Sequence, residues 1–261
     1  MKVSMKIGLS AALVLLLTIG TVSWLQISQM RSTVEEQTAE SVHQSAQLLA
    51  EQIETWLNGK LQLVDMMRET IDQDFTGERI QNTFDLPILK NEFELIFGGL
   101  DTNGTRIDNK GTSGKKPGWD ARQRPWYSIA KASSSATLTE PYIGSSTGET
   151  LISVVANITD KGEFKGAFGG DLSLKTVSKA INSLQFDGNG YAFLSNQNGQ
   201  IISHPNTKFN GKTLADLFDG ETPIIKETLS STKINTEKRL ISFTKLKELQ
   251  GLEWYIAVVI D

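Results

Sequence analysis

Cysteine is absent from the 261 residues and histidine occurs only twice. Without a thiol the chain has no disulfide framework, no thiolate nucleophile and no Cys-ligated zinc or iron–sulfur site. His43 and His204 lie far apart in sequence, so neither is taken as a metal ligand. His204, within Ser203-His204-Pro205-Asn206, reads as a turn residue rather than a base. Long runs of one charge sign are missing too. The 26 basic and 30 acidic residues leave a net charge of −4, which gives no electrostatic footprint for nucleic acid. No G-x-S-x-G, H-E-x-x-H or P-loop signature occurs, so no motif marks an enzyme, and the residues call for no metal and no cofactor. What is present is an ordinary globular composition, 39% apolar, enough for one large domain or two modest ones.

Charge is also missing from Ile7 to Met30, a stretch of the length that a helix needs to cross hydrocarbon. Lys2 and Lys6 precede it, whereas Arg31 is followed by Glu35, Glu36 and Glu40, a balance that places the N-terminus in the cytoplasm. A cleaved signal peptide is the competing reading. The length of the stretch, the lack of an A-x-A site and the helical continuation beyond it favour an uncleaved anchor. The expected division is residues 1–6 cytoplasmic, 7–29 transmembrane with Trp24 at the outer interface, and 30–75 a stalk helix. Residues 31–261 then lie outside the cytoplasmic membrane, where a cysteine-free bacterial domain does without disulfides.

The stalk has no proline and a single glycine between residues 31 and 75. Val34, Val42, Leu49, Ile53, Trp56, Leu57, Val64, Met67 and Ile71 recur at helical spacing, predicting one long amphipathic helix that covers a sheet or pairs with a second copy. Beyond it the pattern turns to short β-prone runs: Glu94–Leu100, Thr105–Asp108, Leu151–Thr159, Phe164–Leu174, Tyr191–Ser195, Gln200–Ser203, Arg239–Thr244 and Trp254–Ile260. Asn103-Gly104 and Asn198-Gly199 read as tight hairpin turns. Their neighbourhoods resemble each other, and Asp171 closes GAFGGD much as Asp261 closes IAVVID, which suggests a duplicated module. Leu174, Val177, Ile181 and Leu184 mark a connecting helix over 174–185. The expected fold class is α+β: a long N-terminal helix carrying two tandem antiparallel sheets, over residues 76–173 and 186–261.

The densest chemical cluster is WDARQRPWY, Trp119 to Tyr127. Pro125 suits the first turn of a helix running on through Ala132. Arg offers a planar fork for a carboxylate, Trp one N–H donor, and Tyr a hydroxyl and a π face for an ammonium. Taken singly, the aromatics also read as core anchors and the arginines as surface ion pairs.

Together with Pro141-Tyr142 and GAFGGDLSL at 166–174, this cluster resembles the double-Cache sensing domain of bacterial methyl-accepting chemotaxis receptors, in particular its amino-acid-binding branch. The resemblance runs over the whole chain and implies two PAS-like modules, the membrane-distal one holding the ligand. It implies that Arg124 and Trp126 bind the ligand's α-carboxylate, that Tyr127 and Asp171 face its α-ammonium, and that Trp119 and Tyr142 line the pocket. A zwitterion needs a fixed cation at one end and a fixed anion at the other, because an uncompensated charge is costly to bury. Trp119 stands where the family usually has Tyr, and Gly144 where the amino-acid branch commonly has Asp. The resemblance also implies a homodimer through the stalk, a second membrane helix after Asp261, and an output module that meets cytoplasmic signalling partners. A histidine kinase or a cyclic-dinucleotide enzyme carrying the same sensor, or a non-amino-acid carboxylate ligand, are the alternatives.

Overall fold

The computed structural model describes residues 3–111, 117–145, 148, 150–172, 174, 177–178, 181, 190–227, 230–234, 237–249 and 252–260. The chain divides into two compact units, Met1–Ser45 and Ala46–Asp261. One helix, α1 (Val3–Gln73), supplies all of the described first unit and opens the second. In the first unit Leu15, Leu16, Leu17, Ile19, Trp24 and Met30 are exposed. Among the described residues no helix is long and apolar enough to cross a membrane. The side chains of residues 1–14, where the expected anchor begins, lie outside the described ones.

In the second unit the stripe predicted for α1 is a buried face. Leu49, Ile53, Leu57, Val64, Met67 and Ile71 are no more than 3% exposed, and each contributes about 1.5–3 kcal/mol by leaving water. Within the same stripe Lys60 is buried. Its ammonium pairs with Glu92 and lies 5.3 Å from the Trp56 ring, so a carboxylate and a π face replace the water it loses. Helix α2 (Gly77–Phe84) starts where Thr76 accepts the Arg79 N–H at 3.1 Å, and the short α3 (Leu89–Glu92) leads into the first sheet.

That sheet contains β1 (Leu95–Leu100), β2 (Arg106–Asp108), β3 (Thr137–Leu138), β4 (Tyr142–Ile143), β5 (Thr150–Asp160) and β6 (Glu163–Leu172), with α4 (Pro125–Ala132) between β2 and β3. The antiparallel order is β2-β1-β6-β5-β3, with β4 also on β5. Side chains alternate across it. On one face Phe168 meets Phe84 of α2 at 5.6 Å. On the other, Phe97, Val155 and Ala167 pack against Ala121, Trp126, Tyr127 and Ala130.

The second sheet contains β7 (Gly190–Asn196), β8 (Ile201–Ser203), β9 (Ser230–Ile234), β10 (Glu237–Lys245) and β11 (Trp254–Ile260), in the order β8-β7-β11-β10-β9. Renumbered from the first strand of each sheet, with the off-path β4 left out of the count, this path is the same as in the first sheet. Helix α5 (Leu214–Leu217), closed by a capping box between Thr213 and Asp216, covers it. His204 is buried here; its Nδ1 accepts the Asn206 N–H at 2.9 Å and its ring meets Tyr191 and Phe209 at 5.1 Å. Burial pushes its pKa down to about 4. The α+β class and all eight expected strands are present, their ends shifted by at most two residues; β3, β4 and β9 were not foreseen.

The turn assignment needs correcting. The two-residue hairpin lies at Lys161-Gly162, both at positive φ, joining β5 to β6, as a type I′ turn requires. Asn103-Gly104 and Asn198-Gly199 sit in wider loops spanning 101–105 and 197–200. Those loops are closed by side chains: Asn103 accepts the Thr105 N–H at 2.9 Å, and Asn196 accepts those of Asn198 and Gln200 at 3.0 and 2.9 Å. Of the connecting helix, Leu174, Val177 and Ile181 are described and buried; Leu184 lies outside the described residues.

Gly170 of β6 is where this packing is least forgiving. A Cβ there would lie 2.3 Å from the Phe93 ring, so Gly170→Ala forces ring or strand to move. Gly170→Ala is expected to lower unfolding stability by about 1–3 kcal/mol, read from the urea midpoint at unchanged slope.

Candidate functional site

The candidate site lies on the α4 face of the first sheet. Register sets its floor: Leu95 of β1, Asp171 of β6 and Ser153 of β5 stand side by side across three strands. Polar residues at two of these positions, flanked along their strands by Ile152, Val154, Gly170 and Leu172, have no packing explanation. Asp171 is 8% exposed. Ser153 Oγ donates to it at 2.6 Å, and the Tyr142 hydroxyl lies 2.7 Å from Ser153 Oγ and 3.3 Å from the carboxylate.

Burial is the largest effect on Asp171 and raises its pKa to about 6; the two hydroxyls act against it, Glu94 adds to it, and Arg106 opposes it. Burial also raises Tyr142, followed by the charge of Asp171, while Arg124 acts in the opposite sense. These two groups titrate abnormally because each is held largely out of water beside the other.

The wall facing this floor comes from the Trp119–Tyr127 cluster. Asp120 caps a 3₁₀ turn (Ala121–Gln123) by accepting the Arg122 N–H at 2.9 Å, and its carboxylate holds the Arg122 guanidinium at 2.7 Å. Arg122 also donates to the Asp101 carbonyl at 3.1 Å. One arginine of the pair is thereby fixed in the local structure.

Arg124 is different. It is the N-cap of α4, in extended conformation, with Pro125 following at the first helical position. Its guanidinium is half-buried and makes no hydrogen bond or ion pair among the described residues. Trp119 lies at the rim, its indole N–H donating to Ser145 at 3.3 Å and its ring 5.7 Å from the Arg106 guanidinium. Arg106 is itself paired with the fully buried Asp108 at 2.8 Å.

Trp126 and Tyr127 are each 3% exposed. The Trp126 ring sits 4.8 Å from Phe97 and 5.7 Å from Tyr127. The Tyr127 hydroxyl donates to Asp101 at 2.9 Å, and burial followed by this bond raises its pKa. Of the six residues singled out from the sequence, Tyr142 and Asp171 meet through Ser153, and Arg124 bears electrostatically on Tyr142. Trp119 and Tyr142 pack against the apolar cluster to which Trp126 and Tyr127 belong. Ser153, Arg106 and Glu94 were missed. Ser153 alone left a trace, as the one hydroxyl amid the apolar run of LISVVA.

The second sheet has the same geometry with different chemistry. Tyr191, Val259 and Ile241 stand side by side there as Leu95, Asp171 and Ser153 do in the first. The corresponding helix-facing row is Phe193, Ala257 and Phe243, against Phe97, Gly169 and Val155. Asp171 thus corresponds to Val259, not to Asp261 as the sequence match suggested, and Asp261 lies outside the described residues. Apolar side chains fill the place where the first sheet keeps its polar floor.

Two like-ordered antiparallel sheets carried by one long helix define a tandem PAS-like domain, with polar groups on the helix-facing side of the first sheet, in the row where the second has Tyr191, Val259 and Ile241. The sequence profile of the Cache domain (dCache_1) matches residues 27–261, and the chain belongs to that family. It is 34% identical to the methyl-accepting chemotaxis protein PctB of Pseudomonas aeruginosa over 261 residues, covering all of this chain and 41% of that protein. It is 30% identical to PscA of Pseudomonas syringae pv. tomato over 260 residues, covering 99% and 41%. The chain thus spans about two fifths of these relatives.

Among solved structures, the PctB ligand-binding domain in complex with L-Arg superposes with a TM-score of 0.79 at 34% identity, covering 87% of this chain and 96% of that one. The ligand-binding domain of Pseudomonas fluorescens CtaA in complex with L-serine gives 0.79 at 31%, covering 87% and 98%. The PctC domain of Pseudomonas aeruginosa with GABA gives 0.76 at 30%, covering 86% and 100%.

Asp171 links the site to stability. Its folded-state pKa of about 6 exceeds the ordinary aspartate value of 3.8, so the protonated form favours folding. The cost of ionising it is absent below pH 3.8, grows as pH rises, and is complete above 6. Asp171→Asn is therefore expected to raise stability at pH 7 by about 1–3 kcal/mol. It should also flatten the fall in stability between about pH 4 and 6, as checked by urea unfolding across that range.

Proposed function

We propose that this chain is the sensing domain of a membrane chemoreceptor and that its first sheet holds a small carboxylate-bearing metabolite, an L-amino acid before others. The observation that supports this most is the unpaired guanidinium of Arg124, whose charge bears on Tyr142, the residue that hydrogen-bonds the buried carboxylate of Asp171. A zwitterion satisfies both, its carboxylate on the Arg124 fork and its ammonium on Asp171. The three complexes described above hold L-Arg, L-serine and GABA, which share these two charged ends.

In this reading Tyr142 and Ser153 orient the Asp171 carboxylate. Trp126 offers its indole N–H to the ligand carboxylate, Tyr127 contributes its ring, and Trp119 closes the rim. Residues 76–173 form the ligand-holding, membrane-distal module, 174–185 a connecting helix, and 186–261 the proximal module. Residues 7–29 anchor the chain in the bacterial inner membrane with the sensing domain in the periplasm, and 30–75 form the stalk through which two copies pair. Ligand binding favours one of two arrangements of the distal module, and the resulting helix displacement of about 1–2 Å passes to a cytoplasmic output module beyond this chain. The domain returns its ligand unchanged.

A second reading, a carboxylate without an ammonium, draws support from Gly144, which puts no acid at that position of the loop.

Thermal unfolding of the full chain in detergent, screened against the L-amino acids and a set of plain carboxylic and hydroxy acids, separates the two. A ligand at a hundredfold excess over its Kd adds about 2.7 kcal/mol. Arg124→Ala is expected to abolish the gain without lowering the unliganded midpoint. For an amino acid, affinity should fall roughly tenfold per pH unit once pH drops below about 6, as Asp171 takes up a proton. If Arg124→Ala and Asp171→Ala both bind like the parent, the site is elsewhere.

A further inference from the structure

A hollow lies away from the polar floor of the first sheet. It is a cleft of about 570 Å³ where three parts of the second unit meet: α1, the segment Ala132–Leu138 after α4, and Glu248-Leu249. Its volume is in the range of small-molecule sites. Along α1 its wall is Asn58, Leu61 and Asp65, a single helix face by their spacing.

Asp65 Oδ1 accepts the Ala136 N–H at 2.8 Å and Arg68 at 3.1 Å. At the other end the Glu248 N–H donates to the buried Glu54 of α1 at 2.9 Å. Glu54 and Asp65 are eleven residues apart on one helix, or about 16 Å along its axis. Asp65 and Glu248 therefore lie toward opposite ends of the cleft along α1, whose own lining runs from Asn58 to Asp65.

Between them lie apolar side chains, Leu61, Leu138 and Leu249, and the hydroxyls of Ser134 and Ser135. No Lys, Arg or His lines the cleft. Among the described residues, Asp65 Oδ2, the Glu248 carboxylate, both serine hydroxyls and the Asn58 amide take no hydrogen bond.

We propose that this cleft is a second binding site, for a linear aliphatic polyamine lying along α1 with its terminal ammonium groups on Asp65 and Glu248. Carboxylates at both ends suit a molecule charged at both ends, the leucines suit its methylenes, and the serines and Asn58 accept its inner N–H groups. A zwitterionic amino acid fits poorly, because no cation in the lining meets its carboxylate. The ligand would tie α1 to loops from both sheets. This site is independent of the one proposed on the first sheet, whose polar groups it does not share.

The test is calorimetric titration of spermine into the full chain at about 0.15 M salt, which suppresses diffuse attraction to an acidic surface. Saturable binding of one spermine per chain is expected. Glu248→Gln and Asp65→Asn should each weaken it about tenfold, equivalent to about 1.4 kcal/mol, and Ser135→Trp should block it by filling the trough. Arg124→Ala should leave it unchanged. Asp65→Asn keeps the oxygen that accepts the Ala136 N–H. Should that variant nonetheless unfold, Glu248→Gln decides, since its carboxylate makes no described contact. Absence of saturable binding, or a Glu248→Gln variant that binds like the parent, overturns the proposal.

Discussion

An anion nearly shut off from water, in the middle of a β-sheet, is the constraint around which the first sheet is organised. Asp171 sits on β6 with strands on either side, where neighbouring positions carry Gly, Ala, Phe and Val. Ionising it there is unfavourable enough to lift its pKa by about two units even with two hydroxyls directed at it. Those hydroxyls come from different places, Ser153 by register from β5 and Tyr142 from a two-residue strand after Pro141. The short β4, unremarkable as a structural element, exists to deliver one of them. Removing Ser153 takes away the shortest bond to the carboxylate, at 2.6 Å, and leaves it the longer one from Tyr142 at 3.3 Å, a loss felt most in a buried network.

Much of this fold was legible because it rests on periodicity. The α1 stripe from Leu49 to Ile71 needs only helical spacing and the absence of proline, and the long β5–β6 hairpin announces itself by its apolar runs. The short strands were not legible: β3 and β4 have two residues each, and no alternation can be read from two residues. Asn-Gly is a strong signal for a tight turn, but Asn103 and Asn196 close their loops with side-chain oxygens, which allows the loops to widen. The tight turn fell instead at Lys161-Gly162, where Lys takes a positive φ that its type gives no reason to expect.

The site was legible in its residue types and less so in their roles. Arg122 and Arg124 look equivalent in the sequence, and only coordinates show that Asp120 holds the first while the second is free among the described residues. Tyr127 offers a hydroxyl that the fold gives to Asp101, a residue too far back in the chain to be suspected. Ser153 was hidden because its partner depends on register, and register is fixed by the whole sheet. The mistaken match of Asp171 to Asp261 has the same origin: a shared letter at the end of a strand outweighed a two-residue slip that only pairing reveals.

The two sheets also differ in how they meet acid. His204 stays neutral above about pH 4 because it is buried among the rings of Tyr191, Phe193 and Phe209, and Val259 and Ile241 bring no ionisable group to the row that matches Asp171. Souring of the surroundings toward pH 6 therefore registers at Asp171 of the first sheet, while the matching row of the second, Tyr191, Val259 and Ile241, carries no carboxylate to answer it.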